Sequence, residues 1–153
     1  MVTVPTGRFW KSNVEYLSET REVLPGLTII STTSRLMGTY IKYPPFEDEH
    51  PQFIGMPELS VAFSTEKGDV ILSGCSHSTI ETIIQETRKV RKTKIRLVAG
   101  GFHLIPYSRG YIEDLSTRMH DEYGVEYVAP AHCSGQLGFV IFRKTFQDKY
   151  LFF

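Results

Sequence analysis

Cysteine is scarce in this chain, with two in 153 residues. That excludes the disulfide framework on which small secreted domains depend. An excess of charge of either sign is also missing, since Lys+Arg and Asp+Glu stand at 17 each. The chain therefore lacks the basic footprint of a nucleic-acid binder. Its one concentrated basic stretch, Arg88-Lys89-Val90-Arg91-Lys92-Thr93-Lys94, closes a predicted helix, where cations complement the helix dipole. The opening Met1-Val2-Thr3-Val4-Pro5-Thr6-Gly7-Arg8 has no apolar run of the kind a signal peptide needs. No apolar run reaches membrane-spanning length either. A soluble cytoplasmic protein without nucleic-acid or membrane partners is the expectation. The Gly-x-Ser-x-Gly nucleophile elbow and the Cys-x-x-Cys redox pair are both absent.

What is present suits one domain with a real core. The apolar fraction is 41% and the charged fraction 22%, ordinary for a globular protein. A short helix is predicted around Ser12 to Glu22, ended by Pro25-Gly26. Leu27 to Thr32 reads as a strand because β-branched residues dominate it. Residues 33–57 carry four prolines and two glycines, with Glu47, Asp48, Glu49 and His50 among them, and read as a long loop. Leu59 to Ser64 alternates apolar and small polar residues, Glu66-Lys67-Gly68 supplies a turn, and Val70 to Ser73 follows, which together predict a hairpin. Ser78 and Glu81 have capping-box spacing. Ile80, Ile83, Ile84, Thr87 and Val90 then form one helical stripe. A strand over Ile95 to Ala99, stopped by Gly100-Gly101, precedes a second helix marked by Ile112, Leu115, Met119 and Tyr123. A short strand from Val125 to Ala129 and a third helix through Leu137, Val140, Ile141 and Phe146 complete the chain. The alternation of strand and helix in the second half predicts parallel neighbours joined by crossover helices, an α/β arrangement.

Three strand-to-helix junctions concentrate the reactive side chains. They are Gly74-Cys75-Ser76-His77, Gly100-Gly101-Phe102-His103 and Ala131-His132-Cys133-Ser134-Gly135. Ligands of open α/β sheets collect beyond the carboxyl ends of strands, and imidazole and thiolate are the usual zinc donors. His77, with Cys75, reads either as a metal ligand or as a residue hydrogen-bonded near a helix cap beside a small buried cysteine. His132 is favoured over Cys133 as a ligand, because free cysteines are usually buried and inert. His103 follows two glycines, and reads as a ligand, as a support for one, or as a substrate contact. Glu58, at a strand start, either orients a ligand or is a solvated carboxylate. Ser76 adjoins His77, but adjacency in sequence makes no catalytic pair. His50 and His120 carry little signal.

Taken in order, Glu58-Leu59-Ser60-Val61-Ala62-Phe63-Ser64-Thr65-Glu66-Lys67-Gly68, then Gly74-Cys75-Ser76-His77, Gly101-Phe102-His103-Leu104 and His132-Cys133-Ser134-Gly135, resemble a known family. The set is similar to the C-terminal half of a metallo-β-lactamase-fold metal-dependent hydrolase, in the branch related to dihydropterin synthases. It spans residues 58–136, about half of the chain. The resemblance implies half of an αββα sandwich, with a mixed sheet and helices packed on one face. It implies metal ligands at His77 and His132 and a place near the site for His103, to which the residue-by-residue reading adds Cys75 as a candidate ligand and Glu58 and Ser76 as candidate supporting or substrate-binding groups. It also implies a divalent metal, zinc first and iron or manganese as alternatives, that activates water against an ester, amide or phosphodiester bond of a small molecule. The family's principal motif, His-x-His-x-Asp-His, occurs nowhere in the chain, and His50 is the only histidine before His77. Residues 1–153 are thus expected to form a single incomplete domain. Its apolar sheet face would pair with a second copy or with a separate N-terminal half. The alternative is a fold remnant or interaction module that holds no metal.

Overall fold

A computed structural model describes residues 2–5, 14–34 and 56–152. Its strands are β1 (Val2–Pro5), β2 (Val14–Leu17), β3 (Arg21–Leu24), β4 (Leu27–Ser34), β5 (Met56–Thr65), β6 (Gly68–Ser73), β7 (Ile95–Gly101) and β8 (Tyr127–Ala131). Its helices are α1 (Ile80–Val90), α2 (Arg109–Thr117) and α3 (Gly135–Phe146). β1 and β2 form a small parallel pair, and β3 to β8 form a six-stranded sheet in sequence order. β3 to β6 run antiparallel, whereas β6, β7 and β8 are parallel, with α1 and α2 as the crossovers. The mixed α/β sheet is the one that the strand-helix alternation predicts. No described helix is long and apolar enough to cross a membrane.

Register explains why one face of this sheet carries the core. Ile30 pairs with Ser60, Ala62 with Ile71, Ile71 with Val98, and Val98 with Val128. Side chains directly opposite share a face, so Ile30, Ala62, Ile71, Val98 and Val128 form one row, each 0% exposed. They join a single cluster with Ile80, Ile83 and Ile84 of α1, Ile112 and Leu115 of α2, and Ile141, Phe142 and Phe146 of α3. All three helices therefore pack on this face. The other face carries a second apolar row, in which Phe63 pairs with Val70, Val70 with Leu97, and Leu97 with Tyr127. Phe63, Leu97 and Tyr127 are only half-buried there, and Leu72 on the same face is 40% exposed.

Several local expectations need correction. The helix expected around residues 12–22 is instead β2 and β3. Val14, Tyr16 and Val23 favour strand, and Pro25-Gly26 is not a helix stop but the turn of a β3–β4 hairpin, in which Leu24 pairs with Leu27. Proline followed by glycine, here with Gly26 at φ 78°, is the signature of a type II turn. Both ends of the expected 33–57 loop belong to β4 and β5, and residues 35–55, including Glu47, Asp48, Glu49 and His50, lie outside the described residues. The N-cap of α1 is Thr79, whose hydroxyl accepts from the Thr82 N–H, and not Ser78. The Ser78 hydroxyl is already engaged by Thr32 and Glu58. Val90 leaves the buried stripe and is 51% exposed. At the far end of α1, Arg91 reaches back 2.7 Å to the buried Asp69 of β6, which ties crossover helix to strand.

Gly100 and Gly101 do not stop β7; they are its last two residues. Gly100 has φ 121°, and a Cβ there would overlap the carbonyl oxygen of Ser73, its partner on β6. Replacing Gly100 with alanine should therefore cost more than about 2 kcal/mol of stability, from left-handed strain and the steric conflict together. Urea unfolding of the two proteins measures this. An alanine variant as stable as the parent would contradict so close an approach of the strands.

Candidate metal centre at the carboxyl edge of the sheet

β6, β7 and β8 end side by side. Ser73 pairs with Gly100, Gly100 with Pro130, and Gly101 with Ala131. The three junction segments leave the sheet at this line, so the parallel topology brings together residues that the sequence separates. Ser76, His103 and His132 adopt φ values of 58°, 49° and 47°. Non-glycine residues seldom occupy this left-handed region, at a cost of order 1–3 kcal/mol each. One such residue sits in each junction.

Hydrogen bonds between the segments hold these turns. The Ser76 hydroxyl donates to the Gly101 carbonyl at 2.6 Å and lies 2.7 Å from the Ser73 hydroxyl. The Gly101 N–H donates to the Gly74 carbonyl at 3.0 Å, and the Leu104 N–H to the Cys133 carbonyl at 3.0 Å. The Ser134 hydroxyl accepts from the Phe102 N–H and donates to the Ala131 carbonyl. Ser76 and Ser134, 2% and 1% exposed, face inward and join neighbouring segments.

Glu58 and His77 are the electrostatic centre of this edge. Glu58 is 8% exposed, so the solvated carboxylate of the sequence reading is not what forms. One carboxylate oxygen accepts from the His77 backbone N–H at 3.0 Å and lies 3.2 Å from Nδ1 of the same residue. The other accepts from the Ser78 N–H at 3.2 Å and the Ser78 hydroxyl at 3.0 Å. Burial alone would raise the Glu58 pKa, but these donors outweigh it and hold the group below its ordinary 4.5. Nδ1 is thus the ring nitrogen that faces the carboxylate.

The remaining histidines and cysteines gather around this pair. The rings of His77 and His103 meet edge to face, with centroids 4.6 Å apart. Burial lowers the His103 pKa, and His77 and His132 add to the effect while Glu58 opposes it. Cys75, Cys133 and His132 bring their donor atoms within 4.8 Å of one another. Burial pushes the Cys133 thiol up to about 11, helped by Cys75 and opposed by a hydrogen bond from the His103 backbone. All the proposed site residues thus fall on one edge. Sequence reasoning passed over Thr32 and Ser34 of β4, which bond the Ser78 hydroxyl and the His77 carbonyl. Hydroxyl side chains on the inward face of an otherwise β-branched strand were the available signal. Residue type alone gives no reason to count Cys133 among the donors. His120 is exposed and contacts Asp121, as a solvent-facing position should.

The Glu58 geometry carries a pH dependence. Its pKa is depressed in the folded state, so its stabilisation is fully present above about 4.5, the unfolded value, and is lost as pH falls through the folded value. Glu58→Gln should lose about 1–3 kcal/mol near neutral pH, and the gap from the parent should close in acid. Urea unfolding across this range tests it, and a gap independent of pH would contradict the assignment.

No protein-family model matches the chain. Over 94 residues, 61% of the chain, it is 32% identical to a 7,8-dihydropterin-6-methyl-4-(beta-D-ribofuranosyl)-aminobenzene-5'-phosphate synthase of Methanocaldococcus jannaschii, covering 32% of that protein. Over 75 residues, 48% of the chain, it is 33% identical to an uncharacterized protein of the same organism, covering 27% of it. The matches thus span about a third of the length of these relatives. The fold superposes on the crystal structure of a metal-dependent hydrolase of the beta-lactamase superfamily with a TM-score of 0.74 and 25% identity, covering 92% of this chain and 56% of that one. By its motif order, sheet topology and superposition, the chain carries the C-terminal half of the metallo-β-lactamase fold, the fold of the metal-dependent hydrolases of that superfamily.

Proposed function

We propose that this chain supplies one wall of the divalent-metal centre of a hydrolase that acts on an ester, amide or phosphodiester bond of a small molecule. The observation that carries the reading is the pairing of buried Glu58 with half-buried His77 at the strand-end edge. Metal-binding histidines usually turn their other ring nitrogen to a carboxylate, which fixes ring orientation and raises basicity. The donor types suit such a metal, while the group whose donor atoms converge among the described residues is Cys75, His132 and Cys133, without His77. His77 and His132 offer imidazoles and Cys75 a sulfur, a set that suits zinc first and iron or manganese as alternatives. When bound, the metal would acidify a water and polarise the scissile bond. The chain's own residues would do the rest. Glu58 holds the His77 ring, Ser76 and Ser134 fix the turns, and His103, its charged form disfavoured, offers a neutral ring for hydrogen bonding to substrate.

The other wall must come from outside these 153 residues, because they contain no His-x-His-x-Asp-His motif. The row of half-buried Phe63, Leu97 and Tyr127 around Val70 is the surface suited to a complementary half-sheet. The missing motif also favours a second reading, a fold remnant or interaction module without metal.

Co-expression with a complementary half that bears the motif separates the two readings. The pair should hydrolyse a chromogenic ester or phosphodiester, lose activity to a chelator and regain it with zinc. His77→Ala should lower the rate by more than about 100-fold, beyond the roughly 10–100-fold typical of losing a supporting partner. Activity that survives both treatments would overturn the metal reading, and a pair that never hydrolyses and never binds metal would favour the remnant. The apolar face gives a separate expectation, namely that the chain alone sediments as a dimer and that Leu72→Lys shifts it to monomer. A stable soluble monomer would count against an unsatisfied face.

A further inference from the structure

Two sulfurs and an imidazole converge on the edge described above. The donor atoms of Cys75, His132 and Cys133 all lie within 4.8 Å of one another. His132 and Cys133 are neighbours in sequence, but Cys75 arrives from the end of a different strand. The backbone leaves room for this meeting. A Cβ at Gly101 would stand 2.8 Å from the Cys133 sulfur and 3.2 Å from the Cys75 Cα. The missing side chain at 101 is therefore what allows the two cysteines to sit together. The supporting turns are fixed by the Gly101-to-Gly74 and Leu104-to-Cys133 hydrogen bonds. Both cysteines are half-buried and His132 is exposed, so the cluster is backed by protein on one side and open on the other.

We propose that Cys75, Cys133 and His132 bind one zinc-class divalent cation in this chain by itself, with sulfur as the majority donor and the solvent side open. Thiolates select zinc over magnesium, calcium and manganese, and three protein donors plus one open position is a known zinc arrangement. Two zinc–sulfur bonds of about 2.3 Å span at most about 4.6 Å, so small side-chain rotations close the site. The proposal shares with the functional reading the roles of His132 and Cys75 as ligands, and it rests on that reading for the metal but not for hydrolysis. It adds Cys133 to the donors and leaves His77 outside this set.

The test uses the whole chain, kept reduced, with cobalt(II) as the probe. A sulfur-to-cobalt charge-transfer band should grow to saturation at one cobalt per chain and be bleached by zinc. Cys75→Ser and Cys133→Ser should each reduce that band by roughly half, as expected when one of two thiolate ligands is lost. Each should also weaken zinc binding more than about 100-fold in competition with a chromophoric chelator, as loss of a direct ligand should exceed loss of a supporting one. His77→Ala should leave the band in place. Absence of a charge-transfer band in the parent chain overturns the proposal without recourse to any variant. So does a band that survives Cys133→Ser and disappears in His77→Ala. Hydrolysis by the completed domain is judged separately, so a chain can hold cobalt through both sulfurs while the hydrolase reading fails, and the reverse.

Discussion

Between β6 and β7 the backbones approach so closely at Gly100 and Gly101 that no side chain fits between them. Everything at the reactive edge depends on that approach. It lets the Gly101 N–H reach the Gly74 carbonyl and the Ser76 hydroxyl reach the Gly101 carbonyl, so the turn after β6 is tied to the end of β7. It opens the space in which Cys75 and Cys133 meet. It also sets the line of strand ends from which His77, His103 and His132 project, each on its own short turn. A larger residue at either position would move the segments that carry the chemistry.

Glu58 acts on the same edge from the neighbouring antiparallel strand. Its register partner on β4 is Thr32, and both bond the Ser78 hydroxyl. The start of α1 is therefore gripped by two strands that lie outside the parallel half of the sheet. This links the antiparallel hairpins to the site. They hold the carboxylate that orients His77 and displace Ser78 from the capping role that its spacing suggested. Charge and helix capping compete here for the same hydroxyl, and the buried carboxylate wins.

The parallel half of the fold was legible because β-branched strands, helical stripes and glycine junctions agree over residues 68–146. The amino-terminal part was not. The residues around Ser12 to Glu22 have no strong period, and pairing with neighbours decides their conformation, which a local pattern does not contain. At the candidate site, the nearness of His77, His132, Cys75, His103 and Ser76 was legible from their place at strand ends, and Glu58 was singled out at a strand start. Their contacts were not, because the Glu58–His77 pair and the cysteine pair join segments whose spacing only the sheet register sets. Cys133 shows the limit most plainly. Residue type marked it as inert packing, whereas its position relative to Cys75 depends on a glycine thirty-two residues earlier.

The bonds that build this edge join residues far apart along the chain. Ser76 and Gly101 are separated by 25 positions, and Cys133 and Cys75 by 58. Such contacts form late, after the entropy of closing long loops has been met. In an unfolded or nascent chain the donors are scattered, and only His132 and Cys133 adjoin. A metal ion then has no good chelate to capture before the sheet is in register. For the proposed metal site, this long-range origin would make metal capture report on correct assembly rather than compete with it.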